Sequence, residues 1–342
     1  DGYVVRWTWV LFKSVGEVVI CLQPGYVLHG CSFQKIFTKE RLDKMSANTK
    51  IITVTSMKGG VGKTEVSLNL AVALKKKTGR RVVVVDFDIP YGGVAQALAL
   101  TKEVSLSDWM DIDSEVQLTE RQAESLVLKD EKAGIDVIPA IVDSKDVKRF
   151  DGKKAKNILE QLLPLYDYIV IDSGVDMSDC TKTALVSSDK IVLVTSTQNG
   201  SIFNNHRYKE ELVSYGVQPN SILLFINQMP KKDADRQAER VEDLYWGSGT
   251  SIQTACYATL DPMVTECRNN KEHIYLTRKK SNFSQGIDDL TDKLGFLSME
   301  DEFFKNNKKG FLHQMKRVFV KLCLRLQLSP LSSYLQFPYI QI

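Results

Sequence analysis

Ser56-Met57-Lys58-Gly59-Gly60-Val61-Gly62-Lys63-Thr64 sits between an apolar run, Ile51 to Thr55, and a helical pattern of Val66, Leu68, Leu70, Ala71 and Leu74. Strand, glycine-rich loop and helix in that order form the setting of a phosphate-binding loop. Gly59, Gly60 and Gly62, with Val61 between them, leave no side chain in the way of an anion, so backbone N–H groups can turn inward around it. Lys63 adds a point charge for the β- and γ-phosphates, and the Thr64 hydroxyl suits Mg²⁺. The alternative is a glycine-rich turn with incidental lysines.

The same apolar logic continues along the chain. Arg81–Asp86, Ile135–Pro139, Tyr168–Asp172, Lys190–Thr195 and Ser221–Asn227 read as short apolar strands. Helical patterns over Thr64–Thr78, Thr119–Leu128, Lys153–Leu163, Cys180–Ser187 and Phe203–Tyr215 lie between most of them. Strands this apolar are buried on both sides, which predicts an α/β fold: a mostly parallel twisted sheet with helices on both faces. Ligands of such sheets sit at the C-terminal strand ends. The polar stretch Thr101–Lys132 reads as an irregular, mobile insertion near the ligand.

Two of these strands end in acid. Val82-Val83-Val84-Val85-Asp86-Phe87-Asp88 places two aspartates at i and i+2, on one side for as long as strand geometry lasts. Paired carboxylates at a strand tip suit metal organisation and water activation, or else they end the strand and cap a turn. Tyr168-Ile169-Val170-Ile171-Asp172-Ser173 is an apolar strand ending in the aspartate pattern of a magnesium site. Leu223-Leu224-Phe225-Ile226-Asn227 ends in an amide that can read an adenine edge or start a turn.

With these motifs in order, residues 50 to 297 resemble the ParA/MinD family of dimeric P-loop ATPases. The block Lys58 to Thr64 is similar to that family's deviant Walker loop, although Met57 stands where the strict pattern has glycine. The resemblance implies ATP and Mg²⁺ as ligands. It implies nucleotide contacts from Lys58, Gly59, Gly60, Val61, Gly62, Lys63, Thr64, Glu65 and Asn227, the last reading the base. Metal contacts are implied for Thr64, Asp86 and Asp172, and catalytic roles for Lys58, Lys63 and Asp88. Asp88 would orient the attacking water, and Lys58 would reach the partner's nucleotide across a face-to-face dimer. The implied enzyme is a slow, dimerisation-dependent ATPase. Glu65, where the family commonly has a second threonine, and Ser173-Gly174, in place of its usual switch II, are departures. The phrasing of Asp86–Leu98, Gly134–Ala140 and Ser178-Asp179 resembles CpaE/TadZ-type pilus-assembly ATPases, which implies a switch in pilus or secretion-machine assembly and localisation. ParA-like DNA partitioning, MinD-like division or flagellar placement, and a non-catalytic nucleotide-binding scaffold stand as alternatives.

Composition narrows the setting. The chain has 342 residues, 43% hydrophobic and 25% charged, enough for a full core with appendages. Six scattered cysteines form no C-x-x-C pair, and four histidines show no metal-ligand spacing, which points to reduced, cytoplasmic cysteine. No run of eighteen apolar residues is present. The start, Asp1-Gly2-Tyr3, lacks Met and a basic leader segment and reads as a fragment or an unusual beginning. The expected organisation is a β-rich appendage and linker over 1–47, with a short polar helix or linker over Lys35–Met45. The ATPase domain follows over 48–297 and a helical tail over 298–342.

That tail concentrates the basic charge. From Phe303 onward Lys305, Lys308, Lys309, Lys316, Arg317, Lys321 and Arg325 meet no acidic residue. Phe311, Leu312, Met315, Val318, Phe319, Leu322, Cys323 and Leu326 make one apolar helical stripe. Such a helix can lie in an anionic membrane surface, or pack on the domain or a partner. Expected partners are therefore a second copy of the chain, a protein of a membrane-associated machine, and the inner membrane face through residues 303–342. A net charge of +3 gives DNA only weak support.

Overall fold

A computed structural model describes residues 7–14, 17–24, 49–90, 92–101, 104–141, 143–246 and 253–297. Contacts divide the chain into Asp1–Met45 and Ser46–Ile342. In the first unit β1 (Trp7–Ser14) pairs antiparallel with β2 (Glu17–Pro24), Ser14 facing Glu17. The helix or linker expected over Lys35–Met45 and the tail from residue 298 lie outside the described residues.

The second unit begins with β3 (Lys50–Thr55), α1 (Lys63–Thr78), β4 (Val82–Phe87), α2 (Val94–Leu98), α3 (Leu106–Met110) and α4 (Glu120–Glu124). Next come β5 (Leu128–Asp130), β6 (Ile135–Ile138), α5 (Ser144–Arg149), α6 (Gly152–Leu162), β7 (Tyr168–Ser173) and α7 (Asp179–Val186). It continues with β8 (Lys190–Thr195), α8 (Asn199–Ser214), β9 (Ile222–Met229), α9 (Ala234–Trp246) and β10 (Gln253–Thr259). Helices α10 (Pro262–Asn269), α11 (Ile274–Thr277) and α12 (Asn282–Lys293) close the described unit.

The strands form one eight-stranded sheet in the order β10-β9-β8-β3-β7-β4-β6-β5. Every pairing is parallel except that of β5 with β6. The alternation of side chains explains the double burial. Val82 and Val84 join the core under α1, whereas Val83 and Val85 join the core under α6. Along β9, Leu223 and Phe225 face one way and Leu224 and Ile226 the other. Both faces are apolar, so helices must cover both, as expected from the sequence.

Helix α1 is buried over most of its length because it lies inside the unit. Val66, Leu70, Ala71, Val72, Ala73 and Leu74 are fully buried. The sheet covers one side, and Phe283, Ile287 and Leu290 of α12 share its core. Lys77 fastens the two helices through ion pairs to Asp288 and Asp292 at 2.9 and 2.7 Å. Each fully buried leucine here contributes about 1.5–3 kcal/mol of apolar transfer.

Two expectations are corrected. The helix read over Thr119–Leu128 stops at Glu124, and Leu128–Asp130 becomes an edge strand paired antiparallel with β6. Thr119 and Gln122 form a capping box that starts a helix of only five residues. Thr101–Lys132 is also not a loose insertion. Leu106 and Trp109 are fully buried, and the Trp109 indole N–H donates to the Leu126 carbonyl at 2.8 Å. One large aromatic anchored in this way outweighs a polar neighbourhood.

Candidate functional site

Strand β3 leads straight into the glycine loop; Asp172 of its neighbour β7 lies opposite Val54, and Asp86 of β4, the next strand out, lies opposite Asp172. The loop is shaped by its own glycines. Gly60 and Gly62 have φ of 78° and 92°. At Gly62 a Cβ would come within 2.5 Å of the Asn227 amide nitrogen, so both conformation and space demand glycine there. Gly62 caps α1, and its carbonyl accepts from Val66 N–H at 3.0 Å. The first N–H groups of α1 therefore open onto the loop.

The loop is braced from three sides. Asn205 of α8, fully buried, accepts from Met57 N–H at 2.8 Å and donates to the Val194 carbonyl at 2.8 Å. Asn227 donates to the Val61 carbonyl at 2.8 Å, and Gln228 donates to the Gly60 carbonyl at 2.9 Å. Below the loop, the Thr64 hydroxyl donates to Asp172 at 2.6 Å, and the Ser67 hydroxyl lies 2.9 Å from the other carboxylate oxygen. Lys63 is buried in the cleft wall, while Lys58 is exposed at the loop's start and makes no ion pair among the described residues.

The two aspartates of β4 do not act side by side. The strand stops at Phe87, so the i, i+2 rule no longer holds at Asp88. Asp86 is buried, and its two oxygens accept from the backbone N–H groups of Asp88 and Val94 at 3.1 and 3.0 Å. It caps the turn that carries Asp88 and does not line the cleft. Asp88 does line it, near Gly174, where a Cβ would come within 3.0 Å of its carboxylate. The glycine that replaces the usual switch II residue thus makes room for Asp88.

Electrostatically the three carboxylates are pressed together. Burial pushes the Asp86 carboxyl up, and the charge of Asp172 adds to it. Burial also raises Asp172, against the Thr64 and Ser67 hydroxyls and Lys63, which hold it down. Asp88 is raised by burial and by Asp176, and lowered by Lys63. A dication would reverse these shifts. Thr64, with Asp172 behind it and Asp88 facing the same cleft, is an all-oxygen donor set. That suits Mg²⁺, which keeps waters and takes phosphate oxygens rather than a full protein cage. No cluster of three His, Cys, Asp or Glu side chains is arranged to hold a metal among the described residues.

The cleft is about 720 Å³ and is bounded on one side by Gly59, Gly60, Gly62, Lys63 and Thr64. The other side is built by Asn227 and Gln228 near the end of β9, Thr259 at the end of β10 with Leu260 and Asp261 after it, and Val264, Thr265 and Arg268 of α10. Of the residues expected at the site, the cleft brings together Gly59, Gly60, Gly62, Lys63, Thr64, Glu65, Asp88 and Asn227. Lys58, Val61, Asp86 and Asp172 stand around it. Sequence reasoning missed Asn205, Gln228, Arg268 and the α10 wall. Asp261-Pro262, an N-cap followed by proline, is the local signal for α10. The loop-bracing amide of Asn205, distant in sequence, has none.

The glycine loop and the mostly parallel sheet have the ParA/MinD type of P-loop NTPase fold. Residues 49–204 match the AAA domain family designated AAA_31. The chain is 27% identical over 272 residues to an uncharacterised ATP-binding protein of Methanocaldococcus jannaschii, covering 79% of this chain and 97% of that one. It is 29% identical to the virulence plasmid ParA family protein pGP5-D of Chlamydia muridarum, over 50% of this chain and 65% of that one. The septum site-determining protein MinD of Pyrococcus horikoshii, solved with Mg-ADP, superposes with a TM-score of 0.62 at 23% identity, over 74% of this chain and 98% of that one. Together these matches support a place in the ParA/MinD family of ATPases, and they do not separate its pilus-assembly branch from the others. No described helix is long and apolar enough to cross a membrane.

Proposed function

We propose that the chain binds MgATP in this cleft, dimerises through the bound nucleotide and hydrolyses it slowly, acting as a nucleotide-dependent spatial or assembly switch. The observation that carries this reading is the Thr64–Asp172 hydrogen bond beneath a glycine loop whose first helical N–H groups are open. Gly59 to Gly62 and Lys63 would hold the phosphates, and Asn227 would meet the base with the polar edge it does not spend on Val61. Mg²⁺, when bound, neutralises charge on the β- and γ-phosphates, with Thr64 and Asp172 holding it. Asp88 orients the attacking water. Lys58, exposed and free of ion pairs among the described residues, is delivered to the partner's nucleotide, where a cation in trans stabilises the transferring phosphoryl group.

The expected behaviour is a monomer–dimer shift on ATP, read by light scattering, with turnover rising as dimer forms. Asp88→Ala dimerises but does not turn over, and an unchanged rate would leave a non-catalytic scaffold. Lys58→Ala that still dimerises on ATP and turns over normally overturns the shared site.

The process proposed first is pilus or secretion-machine assembly and localisation, on the phrasing of Asp86–Leu98 and Gly134–Ala140. MinD-like placement and ParA-like partitioning use the same switch on other partners. Liposome sedimentation with and without residues 303–342 tests membrane contact, and equal binding ends it. Salt-dependent DNA binding by the ATP form would favour partitioning.

A further inference from the structure

Glu65 occupies the first turn of α1, where it is 7% exposed, and its carboxylate is paired with the Arg268 guanidinium from α10. An acid in this place competes with a phosphate for the same positive helix end. The pair is also tied into the scaffold. Asn69, one turn on, donates to the Glu65 carbonyl at 2.8 Å and accepts from Tyr275 N–H at 3.1 Å. Glu65 therefore cannot simply swing its backbone away. The charged residues lining the cleft balance: Lys63, Arg268 and Lys271 against Glu65, Asp88 and Asp261. Deleting Arg268 tips the cleft negative and leaves a buried anion beside the place where a polyanion must bind.

We infer that Arg268 is a positioning residue of the nucleotide site: it neutralises Glu65 and so allows the first turn of α1 to accept a polyphosphate. This rests on the nucleotide reading above. The device is built from two elements far apart in sequence, and it makes α10 part of the phosphate site rather than a mere wall. Arg268 is 47% exposed along its side chain and sits in a short helix near the cleft mouth, so its removal changes charge more than packing.

The test is calorimetric titration of the full chain with ADP and with ATP, with the nucleotide-free melting temperature measured alongside. Arg268→Ala should weaken both nucleotides by at least about tenfold, a Coulombic loss that narrows as salt is raised from about 0.05 to about 0.5 M. Arg268→Lys should retain most of the affinity. Glu65→Gln alone should bind no more weakly than wild type, and Glu65→Gln with Arg268→Ala should return to within about threefold of it, because the charge is again balanced. A purely structural salt link would give no such rescue. Arg268→Ala binding as well as wild type, or a double variant as weak as the single one, overturns the inference. If Arg268→Ala melts early, Glu65→Gln decides: weaker binding than wild type overturns it. A wild type that binds neither nucleotide brings down the nucleotide reading and this inference together, whereas wild-type binding with an indifferent Arg268→Ala removes this inference alone.

Discussion

The cleft has two walls of different construction. The loop wall grows from β3 and α1, inside the sheet, and most of its braces are buried: Asn205, Asn227 and the Asp172 carboxylate under Thr64, with Gln228 the exposed one. The opposite wall grows from the sheet edge, where β10 is the last strand, and from α10, a helix of eight residues. There Leu260 is 59% exposed and Arg268 half exposed. The first wall is set by core packing and local backbone geometry. The second is set by one cap and one ion pair. Affinity for the invariant part of a ligand belongs on the first wall, and adjustable charge balance on the second.

The contrast can be tested from its strongest end. Lys63→Ala removes the buried cation of the loop wall and should lower ATP affinity by about two orders of magnitude, roughly 3 kcal/mol, with little change in melting temperature. A loss of less than about threefold would mean that the loop wall is not where the phosphates bind. Gly62→Ala forces a side chain into a left-handed position and into the Asn227 amide, so about 2–3 kcal/mol of stability should go, read by urea unfolding, together with ATP binding.

Behind the second wall, Asp130 on β5 is paired with His273 at the start of α11, both buried. Burial is the largest influence on the Asp130 carboxyl and raises it, but the His273 bond and charge together with the Lys132 and Ala133 backbone N–H groups outweigh it and leave it below the usual carboxylate range. The sign follows from that depression: the stabilisation is complete above the unfolded aspartate value, near pH 4, and is lost as pH falls through the lower folded value. His273→Ala should therefore cost about 2 kcal/mol at pH 7 and flatten the acid limb of the melting profile. An acid limb as steep as that of wild type would show that Asp130 does not drive it. The smallest effect sharpens the comparison. Asp261→Ala removes the N-cap of α10 and should cost about 1 kcal/mol in urea unfolding while reducing ATP affinity only a few-fold.

The two walls were also unequally legible. Val82–Val85 and Ile169–Ile171 announce strands buried on both faces, because short runs made wholly of β-branched Val and Ile between polar flanks favour a buried strand over a helix segment. The loop wall followed from them and from the glycines. On the second wall Gln253-Thr254-Ala255-Cys256-Tyr257-Ala258-Thr259 has no Val, Ile, Leu or Phe, so its short run of Ala, Cys and Tyr does not stand out as a strand. Trp109 misled in the other direction, because one anchored aromatic in a polar stretch reverses what average polarity predicts. Asp86 kept its strand but lost its expected neighbour relation, because β4 ends one residue before Asp88. Glu65 was visible as a departure, yet its meaning needed Arg268, 203 positions away.

The amide of Asn205 reaches both the entrance of the glycine loop and the exit of β8. A brace of this kind, made by the scaffold itself, moves the loop's ordering entropy from the moment of ligand capture to the moment of folding. Hydrogen exchange at Met57 should then be slow with or without nucleotide, and capture should be limited by encounter rather than by loop rearrangement. On the switch reading proposed above, the response time would then be set by nucleotide exchange and partner supply, with no lag while the pocket forms.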